Sequence, residues 1–273
     1  MPSTYTHYRF GKEVITCLPS PYRKPIEKYR DLYNIGLHGP DILFYYKPLS
    51  SNSVNKTGYA MHDVSSDLFF HKASGLFHTC ENQDALKAYL YGFICHFALD
   101  STCHPYIEKI THTTGISHSE IETELDRSFM LMDQLDINSY IPIQHIHVTD
   151  FNSHIIAPCF DTVSEQEVKA ALKGMITSHK LLHAPDRVKR NLLYAGLKLT
   201  GHFDSMQGLI MKPQPDSQCK KYCLLLQNLY TEAVTTASSL IQQYNNVLEH
   251  DAPLSLRFHM TFGAGENWMD LNI

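Results

Sequence analysis

The sequence predicts an all-α protein folded as one domain over residues 1–273. Three observations carry that expectation. Hydrophobic residues make up 43% of the chain and charged residues 19%, a composition that folds around a core rather than staying disordered. Period-two alternation, the mark of a half-buried strand, is nearly absent. Apolar residues recur instead at helical spacing, between recognisable start and stop residues.

The elements follow in order. Pro19, Pro21 and Pro25 punctuate the early chain, and a helix is expected to start at Pro25, a favourable first helical residue. Gly36 to Asp41, GLHGPD, reads as a tight connection, and Ser50 to Gly58 as a polar loop. From His62 the pattern turns helical, with Val64, Leu68, His71 and Gly75 sharing one side. Asp84 reads as the cap of the next helix, whose body is Ala85 to His104, with Pro105 marking its end. Ser117 followed by Glu120 has the spacing of a capping box, predicting a helix from His118 to about Leu135. Helices are expected at 164–183 and 186–199. A long one is expected at 218–247, where Leu224, Leu225, Leu229, Ala233, Ala237 and Leu240 recur. The tail after His250 is irregular.

Charge and sequence ends narrow the function. A net charge of −5 and a pI near 6.4 argue against a nucleic-acid coat or a polybasic membrane anchor. The opening MPSTYTHYRFG lacks a basic stretch followed by an apolar one, so no secretory signal is expected and the chain reads as cytoplasmic. The most apolar stretch, Ala88 to Leu99, is interrupted by His96 and closed by Asp100, too short and polar for a transmembrane span. The seven cysteines match no disulfide framework or metal knuckle and read as reduced thiols, Cys219 and Cys223 as packing residues. Histidine stands out, at 17 residues, and neutral imidazole is the commonest metal ligand.

The helix Ala85–His104 is the informative one. It is apolar nearly all round, as a core helix is. Yet it carries His96, Asp100 and His104 at i, i+4 and i+8, one stripe along one face. A buried carboxylate must be paired or bind a metal, because leaving it alone costs several kcal/mol. His118 and Glu122 repeat the i, i+4 spacing on the next helix. Each pair also reads as a core histidine beside a salt-bridged carboxylate. Asp41 follows Gly39-Pro40 in a constrained loop and reads either as a site residue or as a cap for the segment from Ile42. His62 reads as a ligand or as a surface histidine. Asp126, one turn beyond Glu122, reads as a helix-surface charge rather than a partner of His118. Lys180, Arg187, Lys189 and Arg190 read as a solvated face rather than a phosphate contact.

The order His7, Asp41, His62, His96 with Asp100, His104, and His118 with Glu122 resembles the zinc-dependent phospholipase C family, whose superfamily includes single-strand nucleases. The phrases GPDILFYY, GFICHFALDSTCHPYI and HSEIETELD carry the resemblance, which covers residues 1–130. It implies a helical protein holding two or three zinc ions in a cleft. By resemblance Asp41, His62, His96 and Asp100 hold one ion, and His104, His118 and Glu122 a second. His7 and a bridging Asp100 contribute to a third. That third site is completed in the family by a mature amino-terminal Trp, whereas this chain begins Met1-Pro2 and its only Trp is Trp268. Another group or water must then complete it, and the Pro2 amine would be exposed if Met1 were removed. The implied activity is hydrolysis of a small phosphoester or phospholipid, with Asp41 orienting or deprotonating water. The alternatives are a nuclease or phosphatase on the same cluster, or a non-catalytic metal-binding protein. The negative charge weighs against nucleic acid as a partner.

Overall fold

The structure, a computed structural model, describes residues 3–273. Twelve α-helices appear among them: α1 Thr4–Cys17, α2 Ser20–Lys28, α3 Arg30–Gly36, α4 Ser53–Asp63, α5 Asp67–Phe77, α6 Gln83–Thr114, α7 His118–Met132, α8 Asp150–Ile156, α9 Glu165–Leu182, α10 Arg187–Leu199, α11 Phe203–Met206 and α12 Lys220–His250. No strand occurs among the described residues, only one isolated bridge between Ser65 and Thr261. The expected all-α class is therefore correct. No described helix is long and apolar enough to cross a membrane. All seven cysteines are free, and Cys219 and Cys223 are buried.

Helix α6 is the axis of the molecule. It is buried along most of its length, from Ala85 to Ile110, and packs against α3, α12, α2 and α1. Asn82 caps it by accepting from the Ala85 N–H, while Asp84 lies within the first turn. The expected stop at Pro105 does not occur. The proline removes one helical hydrogen bond, but Ile107 and Ile110 continue the buried face, and their burial outweighs that loss. The helix ends at Gly115, left-handed at φ 75°, whose N–H returns to Thr111.

Other boundaries also move. The expected loop at Ser50–Gly58 becomes α4, started by a reciprocal cap between Asn52 and Asn55. His62 therefore closes α4 rather than opening a helix. Val64, Leu68, His71 and Gly75, expected to share one side, are all exposed, while Phe69, Phe70, Ala73 and Phe77 of α5 fill the core. On α12 Leu224 is exposed, and the buried seam runs through Leu226, Tyr230, Ala233, Ala237, Ile241 and Tyr244.

Two glycines set the crossing that builds the site. A Cβ on Gly92 would lie 2.2 Å from the Tyr33 carbonyl oxygen, and one on Gly36 2.2 Å from that of Tyr89. Only glycine lets the backbones of α3 and α6 touch there. The 3-10 turn Gly39–Tyr45 that follows is thereby laid on α6. Gly39 has φ 47°, and a Cβ there would meet the His96 ring at 2.1 Å. Asp41 consequently arrives beside His96.

Candidate metal centre

The stripe on α6 faces inward, as a buried carboxylate between two histidines requires. His96 is wholly buried and Asp100 nearly so. Helix α1 lays His7 against them, α4 and the 39–45 turn bring His62 and Asp41, and α7 brings His118 and Glu122. The eight side chains form three groups whose ligand atoms lie within 4.8 Å of one another: His7, His96 and Asp100; Asp41, His62 and His96; His104, His118 and Glu122. His96 is common to two of them. Asp100 faces His7 at 3.1 Å, His96 at 2.9 Å and His104 at 3.8 Å, a central position.

The donors fit a divalent metal on two counts. His96 Nε2 and Asp100 Oδ2 are buried and 2.9 Å apart, yet neither makes a hydrogen bond. Secondly, His62 donates Nδ1–H to the Gly58 carbonyl at 2.9 Å, and His104 donates Nδ1–H to the Phe262 carbonyl at 2.6 Å. In the neutral rings this leaves the Nε2 lone pairs facing Asp41 at 3.1 Å and Glu122 at 3.5 Å. Lone pairs facing lone pairs repel unless a proton or a cation lies between. Carbonyls that orient ligating imidazoles in this way are the usual outer support of a zinc site.

The electrostatics agree. Burial alone would raise the pKa of Asp100, but His104, His96 and His7 hold it well below the usual carboxylate range. Burial likewise opposes ionisation of Glu122, yet its pKa lies well below the usual carboxylate range, with His118 and His104 acting against the burial. The Asp41 pKa is also lowered against its own burial, with His62 and His96 beside it. Three ionised carboxylates are thus enclosed by five imidazoles.

The third group is open to solvent. The His118 side chain is 40% exposed. A cleft of about 530 Å³ is floored by Asp41, His62, His104, His118 and Glu122. Its walls include Phe44 stacked on Tyr59 with ring centres 4.3 Å apart, Glu108, and the α11 segment with His202 and Ser205.

Several supporting residues escaped the sequence reading. Asp126 is buried rather than a surface charge. Its carboxylate accepts from the Tyr5 N–H at 3.1 Å, the Thr6 N–H at 2.8 Å and the Thr6 hydroxyl at 2.6 Å. It thereby satisfies free donors at the start of α1 and fixes the turn that carries His7. Ser3, on that turn, lies 3.5 Å from Glu122. Pro2, considered above as an amine donor, lies outside the described residues. The irregular tail also contacts the centre. Residues 258–263 strap onto the turn after α4 through Ser66 and Gly263, which places the Phe262 carbonyl on His104. A lone histidine or a backbone carbonyl leaves no spacing signal, so these contacts were not legible.

His38 and His145 form a further buried pair, with Nε2 atoms 2.7 Å apart and Tyr8 stacked on His145. Burial, with His179 and His147 nearby, pushes His145 down from 6.5 to about 3. A base with a depressed folded pKa keeps full stability above its unfolded value and loses it as pH falls. The window is therefore from 6.5 down toward 3, with a slope of about 1.4 kcal/mol per pH unit. Chelator-treated His145→Gln should show a shallower fall of Tm below pH 6.5 than chelator-treated wild type. Parallel curves would refute this role.

A family model described as zinc dependent phospholipase C matches residues 6–173, a span that contains all eight side chains of the centre. No curated protein and no solved structure matches the chain.

Proposed function

The chain belongs to the zinc-dependent phospholipase C family, and on that premise we propose that it is a zinc-dependent hydrolase of phosphodiesters, phospholipids among them. One observation carries the reading: Asp41, His62, His104, His118 and Glu122, from two of the three ligand groups, line a cleft, with His118 reaching solvent and the buried His7, His96 and Asp100 behind them. A purely structural zinc site closes its coordination shell, whereas a catalytic one keeps a position for water or substrate. The same observation weighs against a non-catalytic metal protein. The charge of −5 favours a small or lipid phosphoester over a nucleic acid.

Zinc bound here would act as a Lewis acid toward a phosphoryl oxygen and make bound water acidic enough to react near neutral pH. The eight ligands, His7, Asp41, His62, His96, Asp100, His104, His118 and Glu122, would hold two or three ions. The chain's own contribution is placement. Asp41 is ionised at neutral pH and lines the cleft, so its carboxylate accepts a hydrogen bond from water and aims it. Asp41 is the proposed catalytic residue as well as a ligand. Phe44 and Tyr59 form an apolar wall that excludes bulk water from one side of the substrate.

Asp41→Asn tests the role directly. Turnover of a soluble phosphodiester should fall by about a hundredfold or more, with most of the zinc retained on elemental analysis. Loss of one ion instead would make Asp41 a ligand only. Unchanged turnover would exclude it from the reaction.

A further inference from the structure

Helix α10 presents an apolar stripe that nothing among the described residues covers. Val188, Leu192, Ala195 and Leu199 recur at i, i+4, i+7 and i+11, which is one narrow line along the helix. Val188 is 70% exposed, Leu192 68% and Leu199 89%. Only Arg190 on this helix is buried, and α10 packs mainly on α11.

The charge beside the stripe has one sign. Residues 180–199 hold Lys180, Arg187, Lys189, Arg190 and Lys198 against the single carboxylate of Asp186. Lys189 and Arg190 turn back onto the carbonyls of Lys180, His183, Ala184 and Pro185. Lys180, Arg187 and Lys198 remain exposed and unpaired by any carboxylate among the described residues. The helical register sets Arg187 and Lys198 along one border of the stripe. A local excess of cations on a chain of net charge −5 is a patch, not a general property.

The patch adjoins the cleft. Leu199 lies three residues before His202, within about 11 Å of chain, and His202, Ser205 and Met206 line the cleft. We propose that α10 docks the protein on an anionic phospholipid surface, with the apolar stripe entering the headgroup boundary and the cleft mouth held at the same interface. An exposed apolar line bordered by Lys and Arg suits such a surface better than a protein groove, where a row of unpaired cations would be desolvated. The proposal rests on the hydrolase reading, which already includes phospholipids, and adds the face by which the chain reaches them.

The test is co-sedimentation of the full zinc-loaded chain with vesicles of pure phosphatidylcholine, and of phosphatidylcholine mixed with phosphatidylserine. The wild type should bind the mixed vesicles more tightly, and less so as salt rises. Val188→Glu with Leu192→Glu should bind at least about tenfold more weakly. Both proteins should keep the same zinc content and the same turnover of a soluble phosphodiester, which shows that the variant is folded. Arg187→Gln with Lys198→Gln should remove the preference for phosphatidylserine. Equal binding by the wild type and the Glu variant overturns the proposal, as does no binding to either vesicle. A Leu192-dependent dimer in sedimentation velocity, without vesicle binding, assigns the stripe to a second copy instead. Absence of soluble turnover in both zinc-loaded proteins counts against the hydrolase reading alone, since vesicle binding is scored without catalysis.

Discussion

Asp100→Asn should cost the protein at least one zinc ion and lower phosphodiester turnover by at least about a hundredfold. The substitution keeps the shape of the side chain and removes its charge. That charge lies between His7, His96 and His104, at 3.1, 2.9 and 3.8 Å. An amide can offer only one neutral oxygen to these neighbours, and its NH₂ group turns a ligand position into a donor. His118→Ala gives the contrasting result, loss of the ion held with His104 and Glu122 while the His7 and His62 groups keep theirs. Elemental analysis of both variants, purified without added metal or chelator, checks the pair. A full zinc complement and normal turnover in Asp100→Asn would remove Asp100 from the centre.

Asp126→Ala should be strongly destabilising although it removes no metal ligand. It leaves the Tyr5 and Thr6 N–H groups and the Thr6 hydroxyl without their acceptor in a buried place. Unsatisfied buried donors cost about 1–3 kcal/mol each, so the loss should be about 3 kcal/mol or more. For a chain of this size the expected fall in Tm is roughly 10 °C. The first turn of α1 should loosen with it, so zinc affinity at the His7 group should fall as well. Asp126→Asn keeps one acceptor and should be milder. A Tm within about 2 °C of wild type for Asp126→Ala would show that α1 is held by other contacts.

The parts of the site that were legible share one property: their geometry is local. His96, Asp100 and His104 on one turn spacing, and His118 with Glu122, have their relative positions set by the helix itself. Apolar residues all round α6 then required that stripe to be buried, which is what makes a carboxylate there informative. Asp41 and His62 were readable only as alternatives, because each sits at the end of an element whose direction local spacing does not fix. The stop expected at Pro105 failed for a related reason. There the tertiary burial of Ile107 and Ile110 outweighed the local signal.

The sequence by itself determined the helical class, the family, and the ligand pairs that a single helix holds in register. It also contained the stripe and the cations of α10, though not their exposure. Only the tertiary structure decided how the pairs meet. The glycine crossing of α3 and α6 delivers Asp41 to His96, Asp126 delivers His7 to Asp100, and the tail delivers the Phe262 carbonyl to His104. These junctions join residues distant in the chain through backbone contact and capping. Neither leaves a periodic trace, because each depends on where whole elements come to rest.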